Sequence, residues 1–247
     1  MSYKSLASKL FPFETFNSTA FIGDDNVPQK VCDLVLSLAL AYNDFRAIIF
    51  ARELIKEIDV NLQGPRTEQL GLRNGLENTI VRVQTGFIHE LLNILDKNQE
   101  TINDLAFQKI LRQISKVGKQ AWAALYDVAT NKKSNDPLAK ALLIIRHKVA
   151  FHYDAEQLGR GYKAAFFDTS RYGEPLISRG SALLETLFYF ADASSQEYIL
   201  SKAKFDQVSK FLRCGGELLH SINQALFEVV TCFIQIRSPW RKPKTNV

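Results

Sequence analysis

Hydrophobic residues recur along most of the chain at spacings of three and four, the period of an amphipathic α-helix. From Pro28 this pattern predicts a long first helix, and its middle, between Leu34 and Tyr42, is apolar nearly all round. We therefore expect neighbours on more than one side of it. The break at residues 63–65 predicts a short loop before a second helix that begins near Thr67 and packs antiparallel to the first. The apolar face of the second helix is Leu76, Ile80, Val83, Phe87, Leu91 and Ile94.

The middle of the chain predicts four further helices. One spans about Ile102 to Val128, where we expect Gly118 to permit a bend. The next begins at Pro137, because an Asn-Asp pair before a proline is typical of a helix start. A short helix passes through Phe166 and Phe167, and another lies near 177–191.

The last helix is predicted to be long and to carry a continuous apolar seam, because apolar residues alternate spacings of three and four from Phe205 to Ile236. Residues 1–27 lack a helical period, and we expect an irregular arm whose aromatic residues pack onto the rest of the protein. Residues 238–247 form a basic tail. The prediction is an all-α fold with one helical domain over 28–237, and no strand-like alternation or internal repeat.

Composition limits the class of protein more than its activity. A chain of 247 residues with 46% hydrophobic and 23% charged residues is long and apolar enough to bury a core. Its net charge of +5 mildly favours polyanions as partners. Three cysteines without a Cys-x-x-Cys pair suggest neither a disulfide framework nor a thiolate zinc site. We expect a cytoplasmic protein without an export signal or membrane span.

The chemically distinctive stretch is Arg146-His147-Lys148 followed by His152 and Tyr153, at the end of an otherwise apolar helix. On a helical wheel His152 falls on the apolar seam. The simplest interpretation is a buried histidine that is hydrogen-bonded to a carbonyl, beside an arginine whose stem packs while its guanidinium reaches solvent. In that interpretation the stretch has no catalytic or ligand-binding role.

Two observations favour a functional interpretation. Arg146 shares a stripe with Ala139, Leu143 and Ala150, and small residues beside an arginine allow another helix to approach closely, as in a homodimer. The stretch also concentrates potential positive charge in seven residues. Burying that charge is costly unless an anion such as a phosphate binds there.

The segment from Arg146 to His152 resembles the Arg-x(4 to 6)-His signature of the HEPN superfamily, in which a polar residue commonly follows the arginine. His147 occupies that position, and Tyr153-Asp154 resembles the ending found in HEPN proteins of abortive-infection and toxin–antitoxin systems. The resemblance implies an antiparallel HEPN-like helical bundle with additional helices. It also implies a homodimer that cleaves RNA without a metal, in a defence or toxin role with an antitoxin protein as partner.

The residue types suit this chemistry. His152 would move a proton near neutral pH and so help the ribose 2′-OH to attack the adjacent phosphate. Arg146 would stabilise the charge of the transition state with a bidentate contact. His147, Lys148 and Tyr153 would orient the pair or bind a phosphate. On one straight helix Arg146 and His152 lie about 9 Å apart along the axis, and the family joins both residues from two chains in one cleft.

Other interpretations remain open. One is a catalytically silent HEPN-like bundle that binds RNA, a nucleotide or a protein partner, and another is an unrelated helical scaffold. A metal site that joins His89 to His147 and His152 lacks the acidic residue of a His-Glu-x-x-His motif. The sequence contains no phosphate-loop, hydrolase or dinucleotide fingerprint, so we expect no cofactor and no metal.

Overall fold

The structure is a computed structural model that describes residues 14–58, 68–130, 155–168, 173–179, 186–202 and 208–238. These residues are predominantly helical, and within them β-structure is limited to isolated bridge residues at Thr15, Ser178 and Leu187, which confirms the all-α fold class. The antiparallel, HEPN-like arrangement stays a prediction. The helices are α1 Gln29–Lys56, α2 Glu68–Lys97, α3 Gln99–Ile102, α4 Leu105–Gln113, α5 Lys116–Thr130, α6 Ala155–Lys163, α7 Tyr189–Lys202 and α8 Val208–Arg237.

The described residues divide into two compact units. The first contains residues 14–46, 90–130 and 215–238, and the second contains residues 47–58, 68–89, 155–168, 173–179, 186–202 and 208–214. The prediction of a single domain over 28–237 stays a prediction.

The core of the first unit is built on the apolar seam of α8. Ile222, Leu226 and Val229 are fully buried, and Phe233 is almost so. From α1, Tyr42 packs its ring 6.2 Å from that of Phe227. The Cys232 Sγ of α8 donates to the Ile110 carbonyl of α4 at 3.8 Å, and Gly118 of α5 lies against Glu228. In this unit α8 therefore contacts α1, α4 and α5.

A hydrogen-bonded carboxylate joins α5 to α8. Both the hydroxyl and the backbone N–H of Ser115 donate to the Glu228 carboxylate at 2.7 Å, and the Gln224 amide also donates to it. Burial raises the pKa of Glu228, but these hydrogen bonds together lower it more, so the net shift is downward. Gly118 leaves the space that this carboxylate occupies, because a Cβ there would overlap it.

The predicted helix over Ile102 to Val128 is wrong as one element, since the chain forms α3, α4 and α5 there. Asp104 accepts a hydrogen bond from the Ala106 N–H at 3.0 Å and caps the start of α4. Ser115 does the same for α5 through the Gly118 N–H. Side-chain caps at both points thus outweigh a continuous apolar period, and Gly118 lies inside α5.

The predicted helix near 177–191 also begins later than expected. Ser178 and Leu187 form an antiparallel bridge with N–H to carbonyl distances of 2.9 and 3.0 Å. These backbone groups are therefore unavailable to a helix, and α7 begins only at Tyr189. The predicted short helix through Phe166 and Phe167 appears as α6 followed by a π-helical turn at Ala164–Asp168.

Two apolar faces are less buried than the sequence suggests. On α1, Leu36 is 55% and Leu40 is 63% exposed, so one side of the apolar middle of the helix faces solvent. On α2, Leu76 and Val83 are also exposed, whereas Leu91 is buried.

By length and composition, α1 alone among the described helices is apolar enough to cross a membrane. This is weak support for a membrane span, because a helix that forms a protein core passes the same test.

The described part of the N-terminal arm, residues 14–27, is irregular apart from a bridge residue at Thr15 and a 3-10 turn at Ser18–Phe21. It is held by Arg237 at the end of α8, whose guanidinium donates to the carbonyls of Ala20 at 3.1 Å and Ile22 at 2.6 Å. The same group pairs with Asp24, and the hydrogen bond from Arg237 lowers the pKa of that carboxyl. Buried Ser238, where we expected the tail to begin, accepts from the Asn17 N–H at 2.8 Å.

We expect Arg237→Ala to lower the free energy of unfolding by about 1.5 to 3 kcal/mol, because two carbonyls lose a charged donor. Urea unfolding measures this change, and proteolysis should cut residues 14–27 more readily. Arg46→Ala, which removes an exposed arginine from α1, should change little. Equal effects of the two substitutions would contradict the anchoring role of Arg237.

In the second unit, α6 crosses α7 at Gly161. A Cβ on Gly161 would overlap the Ser194 carbonyl oxygen and lie 3.1 Å from the Tyr198 Cβ. Gly159 lies two residues earlier on the same helix and has open space around it. Close packing thus requires glycine at one of these two positions and not at the other.

This difference predicts opposite effects of two similar substitutions. Gly159→Ala should stabilise the protein by up to about 1 kcal/mol, because alanine favours the helix. Gly161→Ala should destabilise it by about 1 to 3 kcal/mol, because the helices must separate. Thermal unfolding of both variants measures these changes, and stabilisation by Gly161→Ala would contradict the observed crossing.

Candidate functional site

The residues predicted from the sequence to form the site are Arg146, His147, Lys148, His152 and Tyr153. All five lie outside the described residues, so their positions stay predictions. The same holds for the alternative metal site, of which only His89 is described, as a buried residue of α2. Within the described ranges, no group of three or more His, Cys, Asp or Glu side chains is placed to hold a metal ion.

Two described cysteines have the features of inert thiols. Cys32 is buried, and Cys232 is half-buried with its Sγ 3.8 Å from the Ile110 carbonyl oxygen. Burial raises the pKa of both thiols, which keeps them protonated at neutral pH. Because the thiolate is the nucleophilic form, neither is a candidate nucleophile.

Among the described residues, a polar cluster between α2 and α7 in the second unit most resembles a functional site, because it contains a partly buried ion pair. An Arg82 nitrogen lies 3.9 Å from an Asp192 carboxylate oxygen, and both side chains are about one-fifth exposed. Arg82 also donates to the Thr79 hydroxyl at 3.0 Å, which donates to the Gly75 carbonyl at 3.0 Å. The cluster is therefore Gly75, Thr79, Arg82 and Asp192.

Glycines on α2 create the space for this cluster. Gly71 lies under the ring of Tyr189, which a Cβ would overlap, and Gly75 lies under Asp192, whose Oδ2 would be 2.8 Å from a Cβ. Spacings of four and seven residues place Gly71, Gly75 and Arg82 on one helical face. The start of α7 thus approaches the α2 backbone closely.

Burial is the largest influence on Asp192 and raises the pKa of its carboxyl, while Arg82 lowers it by less. A shifted carboxyl with a charged partner is a common mark of functional sites, but structural ion pairs produce it as well. Here each polar group has a packing role, because the cluster fixes the start of α7 on α2. We therefore assign it to structure and not to catalysis.

The Asp192 shift predicts a pH dependence with a definite sign. A carboxyl whose pKa is raised on folding binds more protons in the folded state, so stability should rise as pH falls toward the unfolded value of about 3.9. As pH falls from 7 to 4, the free energy of unfolding of the wild type should therefore increase relative to that of Asp192→Asn. Urea unfolding at several pH values measures this slope.

Asp24 provides a matched control with the opposite sign, since Arg237 lowers its pKa. Its contribution is present above about pH 3.9 and is lost as pH falls through its lower folded pKa. The wild type should thus lose stability relative to Asp24→Asn in the acidic range. If the stability of the wild type relative to each of the two variants changed with pH in the same direction, the assignment at Asp192 would be contradicted.

The aromatic residues Phe188, Tyr189 and Phe190 lie at and directly before the start of α7. In the structure Tyr189 and Phe190 are half-buried, but Phe188 is 50% exposed. The cluster on α2 was missed altogether, although the spacing of Gly71, Gly75 and Arg82 on one face of the helix was a signal for it. No analysis of periodicity identifies Asp192 as the partner, because that contact joins two distant segments.

Comparison with models of protein families, with curated proteins and with solved structures gives no match.

Proposed function

We propose that this protein is a metal-independent endoribonuclease of the HEPN type. The observation that carries the proposal is the sequence Arg146-His147-Lys-Val-Ala-Phe-His152 in a chain whose described residues are predominantly helical. Both features are needed, because arginine and histidine at this spacing are common and the all-α context makes them informative. The net charge of +5 is compatible with a polyanionic substrate.

The proposed mechanism uses two side chains. His152 accepts the proton of the ribose 2′-OH as that oxygen attacks the neighbouring phosphorus, and a histidine then protonates the leaving 5′ oxygen. Arg146 donates two hydrogen bonds to the phosphate oxygens, where negative charge accumulates in the transition state. His147, Lys148 and Tyr153 position the phosphate.

A homodimer is part of the proposal, because the two residues are too far apart on one straight helix to contact the same phosphate. Two chains that each contribute Arg146 and His152 would complete one cleft. We place the protein in the cytoplasm, with RNA as substrate and an antitoxin protein that keeps it inactive.

The test is incubation of purified protein with labelled mixed RNA in the presence of EDTA. We expect cleavage by the wild type and a loss of at least about 100-fold in Arg146→Ala and in His152→Ala, since each removes a group that acts in the transition state. Products should end in cyclic phosphates. Growth toxicity on expression, relieved by His152→Ala, provides a second readout.

The matched control is Arg46→Ala, which removes an exposed arginine from α1 and should leave cleavage unchanged. Cleavage that persists in His152→Ala would contradict the assignment of this residue. RNA that binds but stays intact would favour the silent HEPN-like bundle. A folded protein that neither binds nor cleaves RNA would favour the helical scaffold.

A further inference from the structure

The turn that joins α4 to α5 concentrates positive charge in the first unit. Lys109 and Arg112 are exposed on α4, and Lys116 and Lys119 are exposed on α5. We call these four residues the basic corner. The spacing of three residues places each pair on one face of its helix, and the Cα atoms of Arg112 and Lys116 lie within about 14 Å of each other. Residues 105–126 include no Asp or Glu.

The rest of the first unit carries the opposite charge. Its described residues contain twelve Asp and Glu side chains, five in 14–46, five in 90–130 and two in 215–238. Outside the basic corner they contain four Lys and Arg side chains, which are Lys30, Arg46, Lys97 and Arg237. Positive charge is thus segregated into one place on a unit that is acidic elsewhere, and the resulting field directs a polyanion to the basic corner.

The nearby carboxylates leave the basic corner positively charged. Glu228 of α8 reaches it, since its carboxylate accepts hydrogen bonds from Ser115. Asp104, at the start of α4, pairs with Lys30 at 3.1 Å. Among the residues that the structure describes, none of the four basic side chains has an ion-pair partner. With Glu228 counted, the corner keeps an excess of three positive charges.

Helix stability does not explain the two lysines on α5. Lys116 and Lys119 lie within the first four residues of this helix, where the helix dipole favours acidic side chains and disfavours cations. The first turn of α5 contains no acidic residue. Arg112, by contrast, lies in the last turn of α4, which a cation stabilises. A binding role therefore accounts for Lys116 and Lys119 better than a folding role does.

The aromatic residues of 105–126 indicate which part of a nucleic acid the corner would contact. Phe107 and Trp122 are buried, and Tyr126 is half-buried with its ring stacked on that of Trp122. No ring in this range is thus exposed for stacking with a base, which is how single strands are commonly held. The contacts that remain are those of lysine and arginine with phosphates, and such contacts carry no sequence information.

The apolar residues of 105–126 argue against a membrane surface as the ligand. A helix that lies on a membrane inserts a free apolar face. The apolar face of α4 is already buried in the protein, since Phe107 is 0% and Ile110 is 3% exposed. The large apolar side chains that stay exposed in this range are Leu105 and Val117. They belong to different helices and do not form such a face.

We propose that the basic corner binds the phosphate backbone of RNA without preference for base sequence. The choice of RNA rests on the proposed ribonuclease function. Charge segregation and the lysines at the start of α5 support a polyanion, and the buried rings and buried face of α4 favour a phosphodiester backbone over a membrane. An anionic membrane and the acidic surface of a second copy of this chain are the competing occupants.

The experiment measures binding of a labelled RNA dodecamer without secondary structure to full-length His152→Ala protein, which does not consume the RNA. Four phosphate contacts give a logarithmic salt slope of about −3, so the affinity should fall about 50-fold between about 50 and 200 mM salt. Lys116→Gln/Lys119→Gln should raise the Kd about 20-fold at about 0.1 M salt and halve the slope. Lys109→Gln/Arg112→Gln should do the same. A dodecamer of unrelated sequence should bind equally well.

Lys97→Gln is the matched control, because Lys97 is an exposed lysine of the same unit that lies at the end of α2 between acidic residues at positions 96 and 100. Neither its Kd nor its salt slope should change. A second readout is urea unfolding. Lys116→Gln/Lys119→Gln should be at least as stable as its parent, because it removes two cations from the positive end of the helix dipole.

Unchanged affinity in both double variants would overturn the proposal, as would a clear loss of stability in Lys116→Gln/Lys119→Gln. Binding to vesicles of phosphatidylserine and phosphatidylcholine that the double variants abolish, without binding of RNA, would overturn it in favour of a membrane. Concentration-dependent association of the protein that the double variants abolish, again without binding of RNA, would overturn it in favour of a second copy.

The same measurements separate this inference from the nuclease. RNA binding that needs the basic corner, together with a wild type that leaves RNA intact, would support this inference and refute the nuclease. Cleavage that needs His152 but is equally fast in Lys116→Gln/Lys119→Gln at sub-saturating RNA would do the reverse.

Discussion

The packing of the first unit depends on the apolar seam of α8. Ile222, Leu226 and Val229 have no solvent exposure, and each such side chain contributes about 1.5 to 3 kcal/mol through burial. Phe233 extends the seam to the N-terminal segment, where its ring lies 5.1 Å from that of Phe21. Among the polar contacts of this unit, the hydrogen bonds from Ser115 to Glu228 join the start of α5 to α8.

The described helices of the second unit pack in a different way. Its helices approach through glycines, and polar residues such as Ser194, Ser195 and Glu197 are buried where α7 packs. Among the described residues, no buried side-chain nitrogen or oxygen lacks a hydrogen-bond partner. Specific partners thus compensate for the cost of burial, and the packing tolerates few substitutions.

Periodicity predicted the fold class and the long helices, because the apolar faces of α1, α2 and α8 repeat over many turns. It failed between 102 and 116, where Asp104 and Ser115 start new helices through local hydrogen bonds, and at Ser178, where a backbone bridge replaces a helix. It also missed the contact of Arg82 with Asp192, since one-dimensional spacing carries no information about pairing between segments. The predicted site, Arg146 and His152, lies in the part of the chain that the structure does not describe, so it rests on the sequence pattern alone.

The anchoring of the N-terminal segment by Arg237 has a consequence for biosynthesis. The two residues joined by the bond to the Ala20 carbonyl are 217 positions apart, almost the full length of the chain. During translation Ala20 is added to the growing chain 217 residues before Arg237, its hydrogen-bond donor. The aromatic residues of the segment therefore stay undocked while the intervening helices are made, and an emerging chain exposes them to chaperones until α8 is complete.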